Sequence, residues 1–134
     1  ASAIENAYLY QRMIDRNAAV RQQSVTPTIE EKMKKAIAYI RENYQSDISR
    51  EGLAASLNMH PDSFGRFFKV YTNKKISEFI NELRVMEAAR KLRETDANII
   101  DIAFSVGFES LPTFNRAFLK TMNVTPTQYR GEKE

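Results

Sequence analysis

The chain has 134 residues, of which 43% are hydrophobic and 28% charged, and its formal net charge at pH 7 is +3. The chain is long enough for one compact domain of about a hundred residues with an appendage, and its charged content and spaced apolar residues argue against disorder. The sequence contains no cysteine and one histidine, His60, which excludes a disulfide framework, thiol chemistry and a metal site built from cysteines or paired imidazoles.

Residues 1–25 contain neither proline nor glycine and are predicted to form one N-terminal helix. An apolar stripe begins at Ile4, Ala7 and Tyr8 and is interrupted by Gln11, so a coiled coil is compatible with the pattern but is not required by it. We expect this segment to be a separate connecting or signalling helix and residues 26–134 to form one domain. No signal-peptide pattern opens the chain, and no apolar run approaches the roughly 18 residues that a membrane span needs.

The domain is predicted to begin with a helix that is buried along one side. Thr28 and Glu31 match a capping box, in which the side chain of Thr28 would cap the helix. Apolar residues then recur at helical spacing from Ile29 to Tyr44. Ser49 is predicted to cap the next, shorter helix, which covers residues 50–57.

A sharp turn and a second helix are predicted next. Asn58 is expected to reverse the chain, because asparagine tolerates the left-handed conformation better than any residue except glycine. Pro61 suits the first position of a helix, and His60 before it is predicted to cap that helix.

Residues 75–95 are good helix formers without glycine or proline and are predicted to form one long helix. One apolar patch consists of Ile76, Phe79, Ile80 and Leu83, and a second, rotated patch consists of Val85, Ala88 and Leu92. A helix with two apolar sides is expected to lie between two bodies. Its roughly twenty residues, at about 1.5 Å each, span about 30 Å, close to the ~34 Å between successive turns of a DNA major groove.

The end of the chain repeats the pattern of its middle. Asn98 and Asp101 are predicted to cap a short helix, Gly107 to reverse the chain with a positive φ, and Ser110 to cap the helix that follows. Two sets of residues recur at nearly the same distance along the chain. At an offset of 49, the first set is Leu53, Ala54, Leu57 and Asn58, which match Ile102, Ala103, Val106 and Gly107. At an offset of 50, the second set is Phe64, Arg66, Phe68, Asn73 and Phe79, which match Phe114, Arg116, Phe118, Asn123 and Tyr129. The sequence therefore predicts two helix-turn-helix units in an all-α fold, with a last short helix starting at Thr125.

Positive charge collects near the second helix of each unit. Between Met59 and Lys75 the charged residues are Arg66, Lys69, Lys74 and Lys75 against Asp62, and between Ser110 and Arg130 they are Arg116, Lys120 and Arg130 without an acid. Basic clusters of this kind would contact the phosphates of a nucleic acid. The other interpretation is two ordinary solvated faces.

From about Thr28 to Arg130 the sequence resembles the AraC/XylS family of bacterial transcription regulators. The matching residues are Ile102, Ala103, Val106, Gly107, Phe108, Phe114, Asn115, Arg116, Phe118 and residues 125–130 in the second unit, Leu53, Ala54, Leu57, Phe64, Arg66, Phe68 and Lys69 in the first, and Arg84, Ala88 and Leu92 in the joining helix. The resemblance implies about seven helices, arranged as two helix-turn-helix subdomains joined by a central linker helix, with the N-terminal helix as an extension. It also implies that both recognition helices enter adjacent major grooves of double-stranded operator or promoter DNA.

A shorter resemblance concerns the N-terminal segment. Residues 3–10 resemble the end of the last helix of GAF sensor domains. This implies that the chain is the C-terminal part of a larger signalling protein with a sensor domain in front of it. A helical extension without a sensor is the other interpretation.

The predicted DNA-binding residues lie on the two recognition helices and at their starts. They are His60, Asp62, Ser63, Arg66 and Lys69 in the first unit and Leu111, Asn115, Arg116 and Lys120 in the second. Arg66 and Arg116 are the main candidates for reading bases, because a guanidinium pairs bidentately with guanine. For each of them the alternative is a salt bridge to a neighbouring helix.

The sequence departs from the family's pattern at several of these positions. Gly65 stands where other members often carry a base-contacting polar residue, and Leu111 and Pro112 replace a polar pair. Leu111 could meet a thymine methyl group, whereas Pro112 offers no donor, so DNA bending is expected to carry part of the specificity. Asn73 and Asn123 replace a glycine after each recognition helix, and both residue types can end a helix.

The leading prediction is a cytoplasmic, non-enzymatic, sequence-specific DNA-binding domain of a transcription regulator, with no cofactor, metal or membrane segment. RNA polymerase is a further candidate partner, and so is a second copy of the chain, paired through the N-terminal helix or a missing sensor domain. The alternative is a helical protein–protein interaction or dimerisation module that works through residues 1–25. An enzyme is disfavoured because no set of nucleophile, base and orienting residue is visible.

Overall fold

The structure, a computed structural model, describes residues 27–131, and this part of the chain is entirely helical apart from its turns and loops. The seven helices are α1 (Pro27–Asn43), α2 (Arg50–Ser56), α3 (Pro61–Thr72), α4 (Ile76–Glu94), α5 (Ile99–Ser105), α6 (Leu111–Met122) and α7 (Pro126–Gly131). The predicted all-α fold, with two helix-turn-helix subdomains and a linker helix between them, is confirmed. The predicted N-terminal helix lies outside the described residues, and the domain boundary near residue 26 stays a prediction.

The described residues form two compact units. Unit 1 contains residues 27–42 and 48–79, and unit 2 contains residues 43–47 and 80–131. Helix α4 contributes Ile76–Phe79 to unit 1 and its remaining residues to unit 2 without a break, as the absence of glycine and proline predicted. Each of its two predicted apolar patches contains side chains that are buried.

The core of unit 1 is built from apolar stripes on four helices. Its buried residues are Met33, Ala36, Ile40, Leu53, Ala54, Phe64, Phe68, Tyr71, Ile76 and Phe79. The ring of Phe68 lies 5.8 Å from that of Phe64 and 5.4 Å from that of Phe79, the second pair being almost perpendicular. Edge-to-face contacts of this kind add stability to the burial of the rings. Because Phe64 and Phe68 turn one side of α3 inward, the opposite side is left to solvent.

Unit 2 repeats this arrangement. Its buried cluster contains Val85, Ala88, Ala89, Leu92, Ile102, Ala103, Val106, Phe108, Phe114 and Phe118. The ring of Phe118 lies 5.6 Å from that of Phe114 and 5.5 Å from that of Tyr129. The repeat that is visible in the sequence is therefore also a repeat of core packing.

The turns between the paired helices have the predicted conformation. Asn58 has a φ of 57° and Gly107 a φ of 112°. The amide of Met59 donates to the carbonyl of Ala54 at 2.9 Å in the first turn. The matching bond in the second runs from Phe108 to Ala103 at 3.1 Å. The turn residue at positive φ thus lets each turn return a hydrogen bond to the buried alanine.

Asparagines also end both recognition helices as predicted. Asn73 has a φ of 62° and Asn123 a φ of 63°, and their amides donate to the carbonyls of Lys69 and Leu119 at 2.8 Å each. The replacement of the family's usual glycine therefore leaves the helix ends intact.

Two of the predicted helix caps differ from the structure. Helix α1 includes Pro27 and Thr28, so the prediction that Thr28 caps it is wrong; proline at the first turn is preorganised for a helix, which lets the helix begin earlier. Asn98 occupies the capping position of α5, but its side chain makes no capping hydrogen bond. Ser49 and Ser110 do cap α2 and α6. Oγ of Ser49 accepts a hydrogen bond from the amide of Gly52 at 2.9 Å, and Oγ of Ser110 accepts one from the amide of Thr113 at 3.3 Å.

The loop after α1 is held in unit 2 by Arg84. Its Nε donates to the carbonyl of Tyr44 at 2.6 Å and its Nη2 to that of Ser46 at 2.9 Å. Burial lowers the pKa of the Arg84 guanidinium, an effect that the carboxylates of Asp47 and Glu109 oppose. Arg84, one of the three linker-helix residues on which the family resemblance rests, thus supports the backbone.

Arg130 has a similar role at the end of α4. Its guanidinium donates to three carbonyls, those of Leu92 at 3.2 Å, Thr95 at 3.1 Å and Ala97 at 2.7 Å. Counting Arg130 among the charges that meet phosphate is therefore wrong, because its donors are used inside unit 2. The basic cluster on α6 is reduced to Arg116 and Lys120. Within residues 27–131, no helix is long and apolar enough to cross a membrane.

Candidate nucleic-acid interface

The outward side of α3 carries most of the predicted contacts of unit 1. Asp62, Arg66 and Lys69 are exposed, and Ser63 is half-buried. Their spacing places Asp62, Arg66 and Lys69 along one side of the helix, opposite the buried phenylalanines. The structure thus brings these four predicted residues together on one surface.

His60 stands at the start of this surface. Its Nδ1 accepts a hydrogen bond from the backbone amide of Asp62 at 3.2 Å, so the predicted cap is confirmed. The imidazole is 72% exposed, which leaves the ring accessible at the helix N-terminus. A helix N-terminus favours anions because its amides and dipole present positive charge.

Arg66 is held against its own helix. Its Nη2 lies 3.4 Å from Oγ of Ser63, one turn earlier. Among the described residues, no carboxylate lies within ion-pair distance of its guanidinium, so the predicted alternative, a salt bridge to a neighbouring helix, is not formed there. The exposed guanidinium keeps donors available for a ligand.

Helix α6 shows the same arrangement in unit 2. Asn115, Arg116 and Lys120 are exposed, and Nη2 of Arg116 lies 3.4 Å from Oγ1 of Thr113. In residues 27–131 Arg116 also has no ion-pair partner. The two arginines, which correspond in the sequence repeat, therefore contact corresponding hydroxyl groups at equal distances.

Thr113 is a candidate that the sequence prediction missed. Its hydroxyl oxygen lies 2.9 Å from Oγ of Ser110 and 3.4 Å from Nη2 of Arg116. Thr113 therefore belongs to the outward polar surface of α6. The offset of 50 that relates Arg66 to Arg116 also relates Ser63 to Thr113. The repeat was thus the signal that would have identified it.

Leu111 does not face outward as predicted. It is partly buried and packs against the core cluster of unit 2. It occupies the first position of α6, where apolar surface gains more from contact with the cluster than from exposure to water. Pro112 beside it is exposed, so the start of α6 offers few polar groups for reading bases.

Gly65 occupies the interior of α3, where a methyl group has room. A Cβ at this position would lie 3.5 Å from Cδ of Arg50, an ordinary contact. We expect Gly65→Ala to raise the free energy of unfolding by about 0.5–1 kcal/mol, because alanine restricts the unfolded chain and favours a helix. Urea unfolding followed by circular dichroism measures this change.

Gly52→Ala is the matched control for that experiment. Its Cβ would lie 2.9 Å from Oγ of Ser49, the oxygen that caps α2. The gain in helix propensity is then offset by the disturbed cap. A loss of stability in Gly65→Ala would contradict the contacts described for α3.

The fold and its outward arginines can be compared with known proteins. A family model described as a helix-turn-helix domain matches residues 53–132. The regulatory protein SoxS of Escherichia coli K12 is 31% identical over 94 residues, which cover 70% of this chain and 88% of SoxS. The chain belongs to the AraC-type helix-turn-helix family. The resemblance inferred from the sequence is confirmed.

Two further comparisons describe the range of AraC-type relatives. The regulatory protein PocR of Salmonella typhimurium is 33% identical over 101 residues, covering 75% of this chain and 33% of PocR. A solved structure of the DNA-binding domain of AdpA in complex with a target DNA has a TM-score of 0.70 and 25% identity, covering 75% of this chain and 90% of the other. The chain spans 33–53% of the length of the first three curated relatives that it matches.

These comparisons define the functional class. SoxS and PocR are named as regulatory proteins, and the AdpA domain was solved with a target DNA. The predicted class, a DNA-binding domain of a transcription regulator, is confirmed. The alternative, a helical interaction module, is not favoured.

Proposed function

We propose that this chain is the DNA-binding part of a longer bacterial transcription regulator and that α3 and α6 enter adjacent major grooves of one operator or promoter. The observation that carries the proposal is the duplicated outward arginine. Arg66 and Arg116 each lie 3.4 Å from a hydroxyl one turn earlier on their helix. Two equivalent guanidinium groups on equivalent helices are what two successive major-groove contacts require.

The outward polar residues of the two helices are assigned contacts by their chemistry. Arg66 and Arg116 donate to guanine, Asp62 accepts from cytosine and Asn115 pairs with adenine. Basic and hydroxyl side chains on the flanks meet phosphate, which positions the helices without reading sequence. These flanking residues are Lys69 and Lys120, together with His60 and Ser63 near the start of α3 and Thr113 on α6.

The direct test is selection of bound fragments from a random pool of double-stranded DNA. We expect an asymmetric site of about 20 base pairs with two blocks one helical turn apart. Binding to the selected site should weaken steeply as salt rises, because phosphate contacts release counterions. Failure to enrich any sequence, together with salt-independent or absent binding, would contradict the proposal.

Single substitutions separate base reading from phosphate contact. Arg66→Ala and Arg116→Ala should each weaken specific binding by about 1–3 kcal/mol and relax the preference at a few bases. Lys120→Ala should weaken binding to all sequences alike and lower the salt slope by about 1. Fluorescence anisotropy titrations on the selected site and on scrambled DNA measure both effects.

Arg90→Ala is the control for these titrations. Arg90 is exposed on α4, where it pairs with Glu87 at 2.6 Å and Glu94 at 2.9 Å. Its charge is therefore already compensated, and its removal should leave specific binding unchanged. If both recognition arginines behaved like Arg90, their assigned role would be wrong.

We propose further partners for the whole regulator. The resemblance of residues 3–10 to the end of a GAF domain supports a sensor domain ahead of the chain, and the apolar residues of the N-terminal segment support pairing of two copies. RNA polymerase is the proposed partner at the promoter, and the cytoplasm is the proposed location. Sedimentation of the 134-residue chain over a range of concentrations tests the pairing: a monomer at every concentration would contradict it.

A further inference from the structure

We propose that Arg50, which lies outside the recognition helix, reads a G·C base pair for unit 1 in place of the side chain that Gly65 lacks. The inference rests on the proposed function, because it assigns a specificity-determining residue to the same DNA-binding surface. Arg50 is the first residue of α2. Its side chain extends from there onto the outward side of α3.

Distances to three residues define the course of this side chain. A Cβ on Gly65 would lie 3.5 Å from Cδ of Arg50 and 3.6 Å from its Nη1. Nη2 of Arg50 lies 3.8 Å from Oδ1 of Asp62 and 3.4 Å from Oε2 of Glu51. The guanidinium is therefore close to positions 62 and 65 of α3, which are one turn apart. Residues at these positions share a side of the helix with Arg66 and Lys69.

Unit 2 shows how the same place is filled without such an arginine. The counterpart of Gly65 is Asn115, which is exposed on α6. The counterpart of Arg50 is Ile99, which is partly buried and packs against the core cluster of unit 2. Unit 2 therefore combines an apolar residue on α5 with a hydrogen-bonding residue on its recognition helix, α6. In unit 1 the polar group comes from α2, and the recognition helix α3 has glycine, which leaves room for it.

The ion pairs of Arg50 do not remove it from this role. The side chains are 46% exposed for Arg50, 66% for Glu51 and 76% for Asp62, and pairs this exposed are weak. Both pairs use Nη2 of a guanidinium that carries five donors in a fork matching O6 and N7 of guanine. Asp62 can accept from the amino group of cytosine. Arg50 and Asp62 together thus match the two bases of one G·C pair.

The test compares Arg50→Ala with the wild type, both as the 134-residue chain. Binding is measured on the site that the wild type selects and on variants of that site. We expect Arg50→Ala to weaken binding about 10-fold or more and to abolish the preference for one G·C pair in the block read by unit 1. The preferences in the other block should not change. Arg50→Lys should keep the general attraction to DNA but lose the preference at the same pair, because an ammonium lacks the fork.

A double variant provides the positive arm of the experiment. Arg50→Ile with Gly65→Asn reproduces the residue pair of unit 2, and it should bind more tightly than Arg50→Ile alone with a new preference for adenine near the lost pair. The inference is overturned if Arg50→Ala leaves binding unchanged, or if it weakens all sequences equally. These outcomes differ from failure of the proposed function, in which the wild type itself would select no site.

Discussion

Gly107→Ala is expected to lower the free energy of unfolding by about 3 kcal/mol, because it combines backbone strain with a lost hydrogen bond. Gly107 has a φ of 112°, a conformation that residues with a Cβ rarely adopt. A Cβ here would lie 2.8 Å from Nε of Arg84 and 2.9 Å from the carbonyl oxygen of Tyr44. These two atoms form a hydrogen bond of 2.6 Å with each other. The added methyl group would therefore clash with both the donor and the acceptor of that bond.

Substitutions at Asn58 control for the turn itself. Asn58 occupies the equivalent turn of unit 1 with a φ of 57°. Asn58→Ala should therefore cost only about 1–2 kcal/mol, the strain of a left-handed residue without a local hydrogen bond, and Asn58→Gly should be close to neutral. Urea unfolding of the three variants measures the differences. A loss at Gly107 no larger than that of Asn58→Ala would mean that the contact with Arg84 and Tyr44 contributes nothing.

The variant that carries both Arg66→Ala and Arg116→Ala is expected to lose about 2–6 kcal/mol of specific binding, twice the effect of a single base-reading arginine. The two residues belong to different units, and their hydroxyl contacts, with Ser63 and Thr113, share no partner. Their effects should therefore add. The remaining affinity should stay above that for scrambled DNA, since Asp62, Asn115 and Arg50 still contact bases and the phosphate contacts persist.

Replacing both arginines by lysine separates charge from geometry. The lysine variant keeps the positive charge of each helix but not the planar fork that pairs with guanine. It should bind scrambled DNA like the wild type and bind the selected site much more weakly than the wild type. Anisotropy titrations at two salt concentrations measure both quantities. Full specific affinity in the lysine variant would show that the arginines act only as charges.

The sequence predicted the helices, their turns and their repetition because these depend on residues close together in the chain. Phe64 and Phe68 recur at helical spacing, as do Phe114 and Phe118, and all four are buried. Gly107 and Asn58 stand at the turns that need positive φ. The outward position of Arg66 and Arg116 follows from the same periodicity. For the same reason, the family could be named from these residues.

What the sequence could not predict depends on partners that lie far apart in the chain. Nothing local indicates that residues 43–47 join unit 2, that Arg84 holds Tyr44 from 40 positions away, or that Arg130 donates to Leu92 from 38 positions away. In a list of charges these arginines are indistinguishable from Arg116, because solvent exposure and hydrogen-bond partners are set by packing between helices.

The contacts of Leu111 and Arg50 were decided in the same way. Leu111 lies where a recognition helix begins, and only the position of the unit 2 core determines that it packs inward. Arg50 reaches Gly65 because α2 and α3 cross closely enough for its stem to lie on the glycine. By itself the sequence determined which elements form and which sides of them are apolar. The tertiary structure decided which polar groups remain for DNA, because hydrogen bonds and burial depend on distances in space rather than along the chain.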